Sequence, residues 1–130
     1  MLRLRLLLLV LILAVFGIAC DAEQIDPSLT GAARGEQLVK ISVLEGQPGC
    51  MTCHHVESDD PLVGPPLSSV AATARTQTTG LSAEDYLRQS IVDPDAVVAE
   101  GLPEGAMPKY GEHLDETTID DIVAYLLTFE

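Results

Sequence analysis

Residues 49 to 55 read GCMTCHH, so two of the chain's three cysteines, Cys50 and Cys53, stand three positions apart with His54 and His55 directly behind them. Thiolates form covalent bonds and bind soft metals, and an imidazole supplies a neutral nitrogen donor. Four chemistries use a thiol pair with this spacing: a structural disulfide, a thioredoxin-like redox dithiol, half of a zinc site, and covalent attachment of a c-type haem. A zinc site requires two further ligands at paired spacing, and the sequence offers none. A thioredoxin-like dithiol requires a βαβ setting. The full triplet C-x-x-C-H is the attachment pattern for haem c. In it each thiol forms a thioether to a haem vinyl group and the following histidine reaches the iron.

The elements that must position this motif read as helices. Ile119, Ile122, Val123, Leu126 and Leu127 recur at helical spacing, with Asp120, Asp121 and Ala124 off the stripe, which predicts a terminal helix. Asp115 is its cap-type residue, and Glu116 adds negative charge near the positive end of the helix dipole. A helix from Ala32 to about Glu45 presents Gly35, Leu38 and Ile41 on neighbouring turns and is stopped by GQPG. Another runs from Ser82, paired with Asp85 as in a capping box, through Tyr86, Leu87 and Ile91 to Val92, where DPD ends it. Short helical turns are expected at residues 67–73. No stretch shows sustained strand alternation, so the expected class is all-α and the βαβ setting is missing. Residues 94–111, rich in Pro and Gly, must wrap as a long loop, the kind that usually surrounds a functional site.

Compartment and charge narrow the function. Arg3 and Arg5 precede an apolar run of 14 residues, Leu6 to Ala19, too short for a spanning helix of about 20 residues and the right length for an export signal. Cys20 closes that run and resembles the lipobox cysteine of bacterial lipoproteins, which is acylated after cleavage. Gly17-Ile18-Ala19 also reads as an ordinary small-x-small cleavage site, and a third reading leaves the segment uncleaved as an anchor. Lipidation ranks first, because ordinary cleavage would leave an unpaired thiol in an oxidising compartment. The expected organisation is a signal over 1–20, a flexible tether over 21–30 and one domain over 31–130. Without Arg3 and Arg5, five basic residues face 20 acidic ones, for a charge of −15. Such a chain excludes nucleic acid as a partner and is repelled by anionic lipid, so membrane residence must come from acyl chains. Tyr86, Tyr110, Tyr125 and Phe129 are the only aromatic residues beyond the signal, which leaves room in the core for a non-protein group.

Taken in order, GAARGEQLV, CMTCH, VGPPL at 63–67, AMPKYGEHL at 106–114 and IDDIVAYLL resemble the class I (monohaem) cytochromes c over about residues 30–129. The resemblance implies the cytochrome c fold, several helices wrapped around one covalently attached haem c. It implies His54 as proximal iron ligand, Met107 as distal ligand, and Pro65 as the residue whose carbonyl accepts a hydrogen bond from the outer nitrogen of His54. It also implies that Gly35 lets the first helix cross closely against the terminal helix near Tyr125. Elimination agrees on the distal ligand: Met1 belongs to the signal and Met51 lies between the haem cysteines, which leaves Met107. His113 is the competing sixth ligand and His55 the competing proximal one. Both read instead as surface residues.

With both axial positions taken by protein, the expected function is electron transfer and not an enzymatic reaction. The chain reads as a membrane-tethered monohaem carrier in a bacterial respiratory or photosynthetic chain, anchored through Cys20 on the extracytoplasmic side of the cytoplasmic membrane. Its expected partners are a quinol-oxidising complex and a terminal oxidase or reaction centre. Two alternatives stay open: a lipoprotein thiol-disulfide oxidoreductase using Cys50 and Cys53, and a haem-based gas sensor in which Met107 lets go.

Overall fold

The terminal helix predicted by the Ile119–Leu127 stripe forms as α4 (Glu116–Leu126), with Ile119, Ile122, Val123 and Leu126 buried. The computed structural model describes residues 24–77, 79–97 and 101–129; the apolar run expected to direct export, and Cys20, lie outside them. Before α4 come α1 (Gly31–Lys40), α2 (Val70–Thr76) and α3 (Ala83–Val92), with short 3-10 turns at Cys50–Thr52, Pro94–Val97 and Tyr110–Glu112. The fold is all-α, as the periodicity indicates.

Caps fix the ends of α3 and α4 as the sequence suggests. Ser82 Oγ accepts the Asp85 N–H at 3.0 Å, and Asp115 Oδ1 accepts the Thr118 N–H at 2.7 Å. Thr118, chiefly through that N–H, holds the Asp115 carboxyl below its ordinary value of 3.8. Leu87 and Ile91 bury the inner face of α3, and full burial of each such side chain stabilises the fold by about 1.5–3 kcal/mol.

The crossing of α1 over α4 depends on one missing side chain. A Cβ at Gly35 would lie 1.9 Å from the Asp121 carbonyl oxygen and 2.8 Å from Tyr125 Cβ, so only glycine permits this approach. Asp121 itself corrects the sequence reading, which placed it off the buried apolar stripe. It is buried, at 6% exposure. Thr30, the cap residue of α1, makes no side-chain cap bond. Asp121 substitutes from the other helix: Oδ1 accepts the Gly31 N–H at 2.6 Å and Oδ2 accepts Arg34 Nη1 at 2.8 Å. A carboxylate can be buried here because it meets a cation and an unpaired helix N-terminus at once.

Helix α1 stops at Lys40, five residues before the expected end at Glu45. The chain turns instead into a two-residue hairpin, β1 (Val43–Leu44) pairing antiparallel with β2 (Gln47–Pro48). Its loop residues Glu45 and Gly46 both take positive φ, 47° and 78°, the backbone signature of a tight primed turn. The helical turns expected at 67–73 form slightly later, as α2. Within the stretch expected to be a flexible tether, the Asp26 N–H donates to Gln37 Oε1 at 2.8 Å and Ile25 packs on the core.

Candidate functional site

The hairpin delivers the cysteine motif. Gly49 donates to the Ser42 carbonyl at 2.9 Å, and a Cβ on it would sit 1.8 Å from the Ile41 carbonyl oxygen, so the strand must enter the motif through glycine. The next residues wind into the 3-10 turn, where the Cys50 carbonyl accepts the N–H groups of Cys53 at 3.1 Å and His54 at 3.0 Å. The turn sets Cys50, Cys53 and His54 on the wall of one cleft. The two thiols are half-buried and not joined in a disulfide.

A second loop fixes the imidazole. The Cys53 carbonyl accepts the N–H groups of Val63 at 3.1 Å and Gly64 at 2.8 Å, which stitches residues 62–66 to the motif. His54 Nδ1 lies 2.7 Å from the Pro65 carbonyl oxygen. A carbonyl can only accept, so Nδ1 carries the proton and Nε2 keeps its lone pair for a metal. Gly64 lies against the ring: a Cβ there would stand 2.4 Å from His54 Cε1 and 3.0 Å from Nε2. The expected bond to Pro65 is therefore present. The cradle at Gly64 is additional, and its signal was the glycine in front of the Pro65-Pro66 pair.

The cleft holds about 250 Å³, several times the roughly 30 Å³ of one water. Val39 of α1, Leu87 and Ile91 of α3, and Ile122 and Leu126 of α4 contribute to its walls, so it opens into the centre of the core. Met107 joins the same lining, half-buried, on the loop between α3 and α4. His113 is exposed and outside the lining. His55 is also outside it, its Nδ1 held 2.9 Å from the Asp60 carbonyl; it is half-buried where the sequence suggested a surface residue. Tyr110, which the sequence did not single out, also lines the cleft and donates its hydroxyl to the Pro48 carbonyl. Burial, with Cys50 and Cys53 adding to it, pushes its phenol up to about 12, so it remains a donor.

Electrostatics separates the possible chemistries. Burial pushes the Cys50 thiol up to about 11, whereas a redox-active dithiol needs a thiol pushed down. Among the described residues no group of three or more His, Cys, Asp or Glu side chains is placed to hold a metal ion. On the Met107 loop, the Gly105 N–H holds the Asp95 carboxyl below its ordinary range, and Asp93 raises the Lys109 ammonium. Two thiols, an oriented imidazole and a methionine on the wall of an apolar cleft fit a flat apolar group carrying iron. The glycine against the imidazole leaves that ring in place to meet it.

Comparison with curated proteins finds no match. Residues 32–130 match the family model for cytochrome c, and the chain therefore belongs to the cytochrome c family, electron carriers with a covalently attached haem c.

Proposed function

We propose that this chain is a membrane-tethered monohaem cytochrome c that passes single electrons on the extracytoplasmic side of a bacterial cytoplasmic membrane. The observation that carries the reading is the gathering of Cys50, Cys53, His54 and Met107 on one apolar cleft, with His54 Nδ1 held by the Pro65 carbonyl. In this reading Cys50 and Cys53 tether the haem by thioether bonds, His54 binds the iron through Nε2, and Met107 supplies the distal sulfur. Once bound, the haem contributes a one-electron iron couple.

The protein's own part is to hold and to exclude. Pro65 fixes the His54 tautomer and ring orientation, which leaves the Nε2 lone pair free for iron. The apolar walls keep water out and disfavour the extra positive charge of the oxidised state, while a methionine sulfur favours the reduced one; both raise the potential. With His54 and Met107 committed, the chain leaves no position for oxygen or a substrate, which favours a carrier over a gas sensor. The raised Cys50 thiol disfavours Cys50 as the attacking thiol in the thiol-disulfide alternative.

The tether rests on the sequence alone: the 14-residue apolar run and Cys20. Among the described residues no helix is long and apolar enough to cross a membrane. The donor would be a quinol-oxidising complex and the acceptor a terminal oxidase or reaction centre, partners whose docking patches must suit an acidic surface.

A haem stain on a denaturing gel, with reduced spectra taken with and without carbon monoxide, tests the site. Haem that survives denaturation and a spectrum indifferent to carbon monoxide are expected. Absence of covalent haem would overturn the reading, and ready carbon monoxide binding would turn it into a sensor. For the tether, Cys20→Ser should release haem-loaded protein from membranes, since acyl chains contribute about 0.8 kcal/mol per buried methylene. Retention of that variant would refute the lipid anchor.

A further inference from the structure

The loop that carries Met107 has no regular structure from residue 101 to 109, yet it is fastened on both sides of the methionine. Two residues before Met107, the Gly105 N–H donates to Asp95 Oδ1 at 2.7 Å. Gly105 reaches that position with φ of +74°, a conformation that suits glycine. Two residues after it, Lys109 Nζ lies 2.7 Å from Asp93 Oδ1 and 3.4 Å from Asp95 Oδ2. Both carboxylates come from the same place, the end of α3: Asp93 follows its last turn and Asp95 sits in the 3-10 turn behind it. Asp95 is also the only Asp, Glu, Lys or Arg among the described residues that line the cleft.

We propose that Asp93, Asp95 and Lys109 form a clamp that positions the Met107 segment over the cleft and so sets how readily its sulfur leaves the iron. The inference rests on the assignment of Met107 as distal ligand. These are positioning residues, acting through the loop and not on the haem. Each ion pair is partly exposed, so its contribution to global stability is small. Its effect falls on local opening, because the Asp95 and Asp93 contacts, with the Glu112 N–H to Lys109 carbonyl bond, are the polar ties of residues 105–109 among the described residues. Lys109 also offsets the Asp95 charge at the cleft wall, so its removal leaves that negative charge uncompensated and favours oxidised iron.

The test uses the full-length haem-loaded protein with two variants, Asp95→Ala and Lys109→Met, and a rescue, Lys109→Arg. The readouts are the rate of carbon monoxide binding to reduced protein at saturating gas, the methionine–iron absorption band of the oxidised protein, and the thermal midpoint. Asp95→Ala removes a charge-assisted hydrogen bond and should raise the binding rate roughly tenfold. Lys109→Met should raise it too and lower the potential, while Lys109→Arg stays near wild type and all three melt near the wild-type midpoint. Wild-type rates in both Asp95→Ala and Lys109→Met, with the methionine band intact, would overturn the clamp alone. If wild-type protein shows no methionine band, or Met107→Ala binds carbon monoxide no faster than wild type, the ligand assignment falls first and the clamp falls with it.

Discussion

On the Cys50–Pro65 side of the cleft, main-chain groups hold the imidazole: the Cys53 carbonyl accepts two N–H groups of the facing loop, the Pro65 carbonyl accepts a hydrogen bond from Nδ1–H, and Gly64 leaves no gap beside the ring. On the Met107 side the holding groups are side chains at the surface, Lys109 at 44% exposure and Asp93 at 43%. Main-chain hydrogen bonds close to a packed core open rarely, and exposed ion pairs are screened by salt. One wall of the site is therefore built to stay fixed, and the other to be adjusted. A carrier needs the first for a constant ligand field. In the proposed carrier, the second would let the potential be tuned without disturbing the fold.

The largest effect is expected where the fixed wall has no slack. Gly64→Ala places a methyl group 2.4 Å from His54 Cε1, and the ring cannot retreat without giving up Pro65. It should cost about 1–3 kcal/mol, with lower haem loading and an altered low-spin spectrum. A variant that melts and absorbs like wild type would mean that this wall is as adjustable as the other.

Native-state hydrogen exchange on the reduced holoprotein compares the two walls directly. The amide of Gly64, a buried residue bonded to a main-chain carbonyl, should be protected roughly a hundredfold more than that of Gly105, an exposed residue whose acceptor is the Asp95 side chain. Equal protection would remove the distinction.

The smallest effect concerns acid. Asp115, through the Thr118 N–H, and Asp95, through the Gly105 N–H, both have carboxyls lowered from 3.8 in the folded chain. A lowered folded value means that the unfolded chain binds protons first. The stabilisation is therefore complete above about pH 4 and is lost as the pH falls through the folded values. Denaturant titrations of the holoprotein should show stability level from pH 7 to about 5 and declining below about 4. Asp115 is exposed and Asp95 partly so, and the decline should be shallow. Asp115→Asn and Asp95→Asn should each flatten it, and an unchanged slope in both would assign the decline to other carboxylates.

How much of this was legible in the sequence follows from the range of each interaction. The motif Cys50–His54, the Ser82 and Asp115 caps and the α4 stripe are local patterns, and all are found where the sequence puts them. The burial of Asp121 was not legible, because its partners Gly31 and Arg34 lie 90 and 87 residues away and only the α1–α4 crossing brings them together. The early end of α1 was hidden for a different reason: Leu44 fits the helical period, but Glu45 takes the left-handed conformation that closes the hairpin. The clamp on Met107 joins residues 10 to 16 apart across an irregular loop, where no period exists to read.

The account stands most directly on the side chain that completes the iron's coordination. Carbon monoxide binding to reduced Met107→Ala and reduced His113→Ala, each still carrying covalent haem, measures this at one position. Fast binding is expected in Met107→Ala, with His113→Ala indistinguishable from the closed wild-type protein. Fast binding and loss of the low-spin spectrum in His113→Ala, with Met107→Ala closed, would contradict the assignment of the distal ligand and the tuning of the site that depends on it.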